Sequence, residues 1–327
     1  MSGPVLALAF TVLVGVVFFL EARWLGVNLW RRARGERPSW WEGFWPLAGP
    51  RAAKALTVLL NAAAVMGLLC VLWGRFVEPG LIEVTTVTLE SAKIKPGSGR
   101  VRIVQVSDFH AEPGTTNELK AVGIVNSLEP DLVVFTGDAL NSPEGLKNAR
   151  EALGGFKAGF GTFLVSGNYD MGMIPEAAFK DLPVVELESG SREVTVRGSR
   201  VRVSGLSLVN APDFRYVMGM LRAEPAFDVF LFHFTDLIDQ AAAAGVDLYL
   251  AGHTHGGQVR LPFYGALVTL SATGKKYEAG LYRVGPTTLY VNRGLGMEGG
   301  LAPRVRFLCR PEITVFDLYP AGMAPAR

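Results

Sequence analysis

Cysteine and histidine are both scarce in this chain, with 2 and 4 residues among 327. Cys70 and Cys309 lie far apart, and Cys70 falls inside an apolar run. No disulfide is expected between them, and cysteine says little about the redox compartment. So few thiolates also argue against a purely structural zinc site. Charge of one sign is lacking too: a formal net charge of +2 gives no ground for a nucleic-acid partner. Internal repeats and low-complexity tracts are absent, which excludes a solenoid or array. The length suits one large α/β domain plus an extra module.

Two long apolar runs are present. Residues 4–20 are uncharged and apolar, about seventeen residues, the short end of a bilayer-spanning length. No basic stretch precedes them and no small-residue cleavage site follows, so a cleaved signal peptide is the weaker reading. Residues 55–77 form a second run of about twenty, interrupted only by Asn61 and Arg75. Both runs are apolar on all faces, which favours lipid over a soluble core as their surroundings. Transmembrane helices are therefore expected at about 4–22 and 55–77, in an anchor covering 1–78. The connecting stretch carries Arg23, Arg31, Arg32, Arg34, Arg37, Arg51 and Lys54, interleaved with Trp24, Trp30, Trp40, Trp41 and Trp45. Arginine marks the cytoplasmic side and tryptophan the headgroup level. This predicts a multi-pass protein of a cytoplasmic membrane whose main domain, 79–327, lies on the extracytoplasmic side. Arg31-Arg32 lacks the apolar segment that would follow directly in a twin-arginine signal.

Beyond the anchor, apolar β-type runs alternate with helical patterns. Strands are expected at 82–89, 101–106, 131–136, 162–165, 229–232, 248–250 and 289–291, and a hairpin around Gly198 within 193–203. Helices are expected at 117–128, 146–153 and 236–244. Such alternation defines a layered α/β domain with its chemistry at strand ends.

All four histidines fall where an expected strand runs out. His110 closes Ser107-Asp108-Phe109-His110, and His233 follows the run from Phe227 to Phe232. His253 and His255 belong to Gly252-His253-Thr254-His255-Gly256-Gly257. Imidazoles and carboxylates gathered at strand ends are what a cluster of divalent ions needs, so the residues point to a metal-dependent hydrolase.

Adding Gly137-Asp138 and Gly167-Asn168-Tyr169-Asp170 gives five short segments in one order, each after an apolar strand. Singly they are weak signals; together they resemble the calcineurin-like metallophosphoesterase superfamily, from about residue 82 onward. The stretch from Gly252 to Pro262, with Tyr290 to Gly296 and Arg310 to Ile313, is similar to its bacterial membrane-attached YaeI-like and YkuE-like phosphodiesterases. The resemblance implies a four-layer α/β/β/α sandwich. It also implies two divalent ions (Mn, Fe or Zn), the first held by Asp108, His110 and His255. Asn168, His233 and His253 would hold the second, with Asp138 bridging. A hydroxide shared by the pair would attack phosphorus in line, so Asp138, Asn168 and His233 count among the catalytic residues, with Tyr169 and Asp170 beside them. Some members of the subgroup are UDP-2,3-diacylglucosamine diphosphatases of lipid A synthesis, which makes a lipid-linked phosphoester or diphosphate a candidate substrate.

One departure is informative. Where the family has Gly-Asn-His followed by an acidic residue, Tyr169 replaces the histidine expected to protonate the leaving oxygen, and Asp170 loses the imidazole it would orient. A phenol of pKa about 10 is a poor acid at neutral pH. An alkoxide leaving group needs a proton, whereas a phosphate monoester leaving from a diphosphate does not, which favours substrates of the second kind. Asn141, standing where a second acidic residue is common, carries no expected role. Lys275, Lys276 and Arg293 suit either a substrate phosphate or ordinary turns and ion pairs. Phe263 and Tyr264 suit either packing, the commoner case, or an acyl groove. Competing classes are a non-catalytic metal-binding scaffold, which would not need all seven ligating side chains, and a protein phosphatase, for which no peptide-docking segment is recognisable.

Overall fold

The computed structural model describes residues 3–36, 49–175, 177–221, 225–298 and 304–325. Residues 37–48, with Arg37, Trp40, Trp41 and Trp45 of the connecting stretch, lie outside the described residues. The chain divides into two compact units, Met1–Val77 and Glu78–Arg327.

The first unit holds helices α1 (Gly3–Ala33) and α2 (Pro50–Leu72). Pro50 opens α2, where its fixed φ suits a first helical residue and its missing N–H costs nothing. Leu59 and Met66 on α2 are 66% and 61% exposed, so its apolar surface is not covered by protein. Among the described residues one segment, Pro50–Gly80, is long and apolar enough to cross a bilayer, with mean hydropathy 2.4. The first expected span coincides with α1, whose leading side chains are outside the described residues.

The second unit contains β1 (Glu83–Ser91), β2 (Val101–Val106), β3 (Leu132–Phe135), β4 (Thr162–Leu164) and β5 (Val184–Glu186). There follow β6 (Gly190–Val196), β7 (Ser199–Gly205), β8 (Phe227–Leu231), β9 (Leu248–Ala251) and the short pair β10 (Arg260–Leu261) and β11 (Gly265–Ala266). Last come β12 (Gly280–Val284), β13 (Thr287–Val291) and β14 (Glu312–Pro320). Helices α3 (Asn117–Ser127), α4 (Leu146–Gly155), α5 (Phe214–Met220) and α6 (Ile238–Ala244) intervene. Two six-stranded mixed sheets result, in the orders β1-β14-β2-β3-β4-β5 and β12-β13-β9-β8-β7-β6. Strands β2 to β5 run parallel, as do β7, β8, β9 and β13.

Side-chain alternation sets the layers. Ile103, Leu132 and Val134 of the first sheet pack with Val229, Leu231, Leu248 and Leu250 of the second in one central core. The opposite residues, Val104, Val106, Val133 and Phe135, pack with Ala121 and Val125 of α3 and Ala149 and Leu153 of α4. On the far side Phe230, Tyr249 and Ala251 pack with Val217 of α5 and with Ile238 and Ala241 of α6. Central strands are thus buried on both faces, which is why they read as unbroken apolar runs. The foreseen elements are present to within a few residues, and the hairpin pairs Val196 with Ser199 across Arg197-Gly198. Five strands and α5 were not foreseen. β5, β10 and β11 are too short to show a period. β14 has Asp317 mid-strand, a charge held there by Arg102 at 2.7 and 2.8 Å.

Candidate metal centre

The parallel strands β2, β3, β4, β8 and β9 present their C-terminal ends together, where open α/β sheets hold ligands. Asp108 and His110 follow β2, Asp138 follows β3, Asn168 follows β4, His233 follows β8, and His253 and His255 follow β9. The chain must turn sharply at each end. Asp108, His110, Asp138, His253 and His255 all adopt left-handed backbone, with φ of 50°, 43°, 57°, 67° and 49°. Non-glycine residues take that conformation at a cost of about 1–3 kcal/mol each, and such positions cluster at functional sites. Two glycines are required by close approach. A β-carbon at Gly252 would lie 2.2 Å from Asp108 Oδ2, and one at Gly167 would lie 2.1 Å from Asp138 Oδ1.

The donor atoms converge in two groups. Asp108, His110 and His255 offer ligand atoms within 4.8 Å of one another, and so do Asp138, His233 and His253. His255 Nε2 lies 3.4 Å from Asp108 Oδ1 and 2.9 Å from His110 Nε2. Asp138 Oδ2 lies 3.1 Å from His233 Nε2 and 3.6 Å from His110 Nε2, so one carboxylate reaches both groups. Asn168 Oδ1 is buried without a hydrogen-bond partner. Burying such an atom unpaired is costly. Two facing imidazole nitrogens, an orphaned donor atom and two buried carboxylates are a set that divalent cations satisfy. The residues fit the metal pair that the motifs imply.

Electrostatics agree with this at three of the four imidazoles. Burial depresses His110 and His253 to about 4 and drives His255 well below its ordinary value, so all three are neutral, the form that ligates. Burial pushes the Asp108 carboxyl up to about 7. Burial would also raise Asp138, but the charge of His233 overrides it and brings it down to about 2. For His233 burial works downward, and the Asp138 carboxylate overcomes it to reach about 10. Its Nδ1–H donates to the Thr136 carbonyl at 2.7 Å, which turns Nε2 toward the cluster.

Supporting residues that the motifs did not reveal surround these groups. Ser107 Oγ donates to Asp108 Oδ2, Thr136 Oγ1 donates to Ser107 Oγ at 2.7 Å, and Gln105 Nε2 donates to Thr136 Oγ1 at 3.0 Å. A signal existed: Gln105 and Thr136 are polar residues inside apolar runs. Arg306, fully buried, donates to the carbonyls of Arg293, Gly294, Gly296 and Cys309, and lies 3.5 Å from His255 Nδ1. Asp170 orients no imidazole. Its carboxylate accepts from the main-chain N–H groups of Asp138, Ala139 and Gly167 at 2.7 to 2.9 Å, clamping the turn that carries Asp138. The Tyr169 hydroxyl donates to Glu298 at 2.9 Å, and burial together with that carboxylate raises it to about 12.

The other basic candidates are paired. Arg293 bonds Glu83 and Glu312 at 2.9 and 3.0 Å, and Lys275 bonds Glu278 at 2.8 Å. Cys70 and Cys309 are both free thiols.

The calcineurin-like phosphoesterase family profile matches residues 101–257. The chain is 36% identical over 258 residues to the metallophosphoesterase YkuE of Bacillus subtilis, covering 75% of this chain and 88% of that protein. A transmembrane protein with metallophosphoesterase domain from Bos taurus is 29% identical, over 73% of this chain and 57% of its own length. The UDP-2,3-diacylglucosamine pyrophosphatase LpxG of Chlamydia muridarum is 26% identical, over 79% of this chain and 96% of its own length. The chain belongs to the calcineurin-like metallophosphoesterases and is a metal-dependent phosphoesterase.

Proposed function

We propose that this chain is a membrane-anchored phosphoesterase that uses two divalent ions to hydrolyse a phosphodiester or diphosphate bond, on a lipid-linked substrate. The observation that carries the reading is the convergence of six donor side chains from four strand ends, with Asp138 within reach of both groups. In this reading Asp108, His110 and His255 would hold one ion, Asn168, His233 and His253 would hold the other, and Asp138 would serve both. When bound, such a pair supplies positive charge to the phosphoryl oxygens and lowers the pKa of a coordinated water. Thr136 orients His233, Ser107 orients Asp108, and Asp170 holds the Asp138 turn rigid. Purified full-length protein in detergent, assayed on diester, monoester and diphosphate substrates under several divalent ions, tests this. Hydrolysis without added or bound metal would refute it.

Tyr169 narrows the substrate. A phenol tied to Glu298 and raised to about 12 is a weaker proton donor than a free tyrosine. Leaving groups that depart without a proton are favoured, and a diphosphate provides one. The second reading, a UDP-2,3-diacylglucosamine diphosphatase of lipid A synthesis, draws on this and on the similarity to LpxG. Rates on aryl phosphodiesters should fall steeply as leaving-group pKa rises; a flat series would mean that an acid is at work.

Two spans, at about 4–22 and 55–77, with an Arg-rich stretch between them put the catalytic domain outside the cytoplasm under the charge rule. Nucleotide-linked lipid precursors are made inside, so orientation and the second reading compete. A reporter active only in the cytoplasm, fused after Arg327, decides between them.

A further inference from the structure

The rim beside the candidate metal centre carries bulky apolar side chains that none of the described residues covers. Phe263 is 111% exposed, Leu270 68%, Leu308 51% and Val268 41%. Phe263 is the middle residue of the turn joining β10 and β11, so it is neither packed nor lining a groove. Three of these four residues also hold left-handed backbone, with φ of 64° at Phe263 and 53° at Leu270 and Leu308. Bulky residues seldom adopt that conformation.

These positions are bound to the site and to the point where the spanning segment ends. Val259, four residues past His255, bridges to Phe307 beside Leu308. The Leu270 main chain is hydrogen-bonded to His253. Glu78, which opens the second unit at the end of the apolar stretch, accepts from the N–H of Cys309, next to Leu308. Basic groups stand among the apolar ones: Arg260 and Lys275 share the single carboxylate of Glu278, and Lys276 is exposed. An apolar tip with cationic neighbours, linked through Leu308 and Cys309 to Glu78, the first residue of the second unit, matches a lipid surface with anionic headgroups.

We infer that the β10–β11 turn and Leu308 insert into the bilayer interface, holding the metal centre against the membrane so that it takes phosphoesters presented by lipid headgroups. This rests on the anchored reading above and adds a substrate class to it: an amphiphile still embedded in the bilayer, not one extracted into water.

The test uses the full chain in nanodiscs containing anionic phospholipid, with Cys70→Ser so that buried Cys309 is the only native thiol. Nitroxide labels go at Phe263→Cys and at Arg200→Cys, an exposed position at the start of β7 and at the opposite ends of the parallel strands. Collisions with oxygen should dominate at 263, and collisions with a water-soluble nickel chelate at 200. A nickel-accessible label at 263 in a chain that has entered the disc overturns the docking and leaves the anchor standing. A chain that stays out of the disc overturns both. Kinetics give a second readout. The Phe263→Ser/Leu308→Ser pair should raise KM for a disc-borne phosphodiester roughly tenfold while leaving kcat/KM for a soluble aryl diester unchanged. Unchanged KM on the disc, or an equal loss on the soluble ester, overturns the inference.

Discussion

The two donor groups are built from the same kinds of residue but differ in how tightly the protein holds them. Asp108, His110 and His255 are 0%, 1% and 2% exposed, backed by Ser107 and by Arg306. In the other group Asp138 and His233 are equally buried, while His253 and Asn168 are only half-buried. The first group is closed and preorganised; the second opens on one side. Were each group to hold an ion, the closed one would release it more slowly than the open one.

The largest effect is expected where the two groups meet. Asp138→Ala should abolish turnover and lower metal content at both positions, because one carboxylate serves each; full activity would end the bridging assignment. Next comes the asymmetry itself. Metal removal by a chelator should proceed in two phases, with the faster phase abolished in Asn168→Ala and the slower one in His255→Ala. A single phase would mean that the difference in burial has no consequence for exchange.

How far the sequence carried this follows from the same contrast between closed and open. The six donors that the structure brings together were legible, because each is a polar residue at or just beyond the end of an apolar strand, a pattern that burial on both sheet faces forces. The supporting shell was only partly legible: Thr136 stood out as a polar residue in an apolar run, whereas Arg306 acts through contacts between segments distant in sequence. Asp170 shows the limit most clearly: it was read as an orienting partner for a missing imidazole, yet it grips main-chain N–H groups, which no side-chain pattern records. Apolar runs have a similar ambiguity. β3 is apolar throughout and α2 mostly so, but β3 is buried in protein, whereas Leu59 and Met66 of α2 are exposed. Length alone separated them.

Supporting residues should give intermediate effects. Ser107→Ala removes one partner of Asp108 and should weaken metal binding about 10–100-fold at the closed group, leaving the open group within error. Competition against a fluorescent chelator measures this, and equal weakening at both would show that the groups are not separately supported.

The smallest effect is expected at Tyr169, whose ring packs edge-on against His110 at 4.8 Å and whose hydroxyl rests on Glu298. General acid catalysis by a positioned side chain contributes about 100- to 10,000-fold. A phenol raised to about 12 keeps its proton throughout the neutral range and gives it up reluctantly. Tyr169→Phe should therefore change kcat on an activated diester by no more than about threefold, the size of a lost partly exposed hydrogen bond. It should also leave the pH profile unaltered below pH 10. A loss of a hundredfold or more, growing with leaving-group pKa, would make Tyr169 the proton donor and remove the argument for a diphosphate substrate.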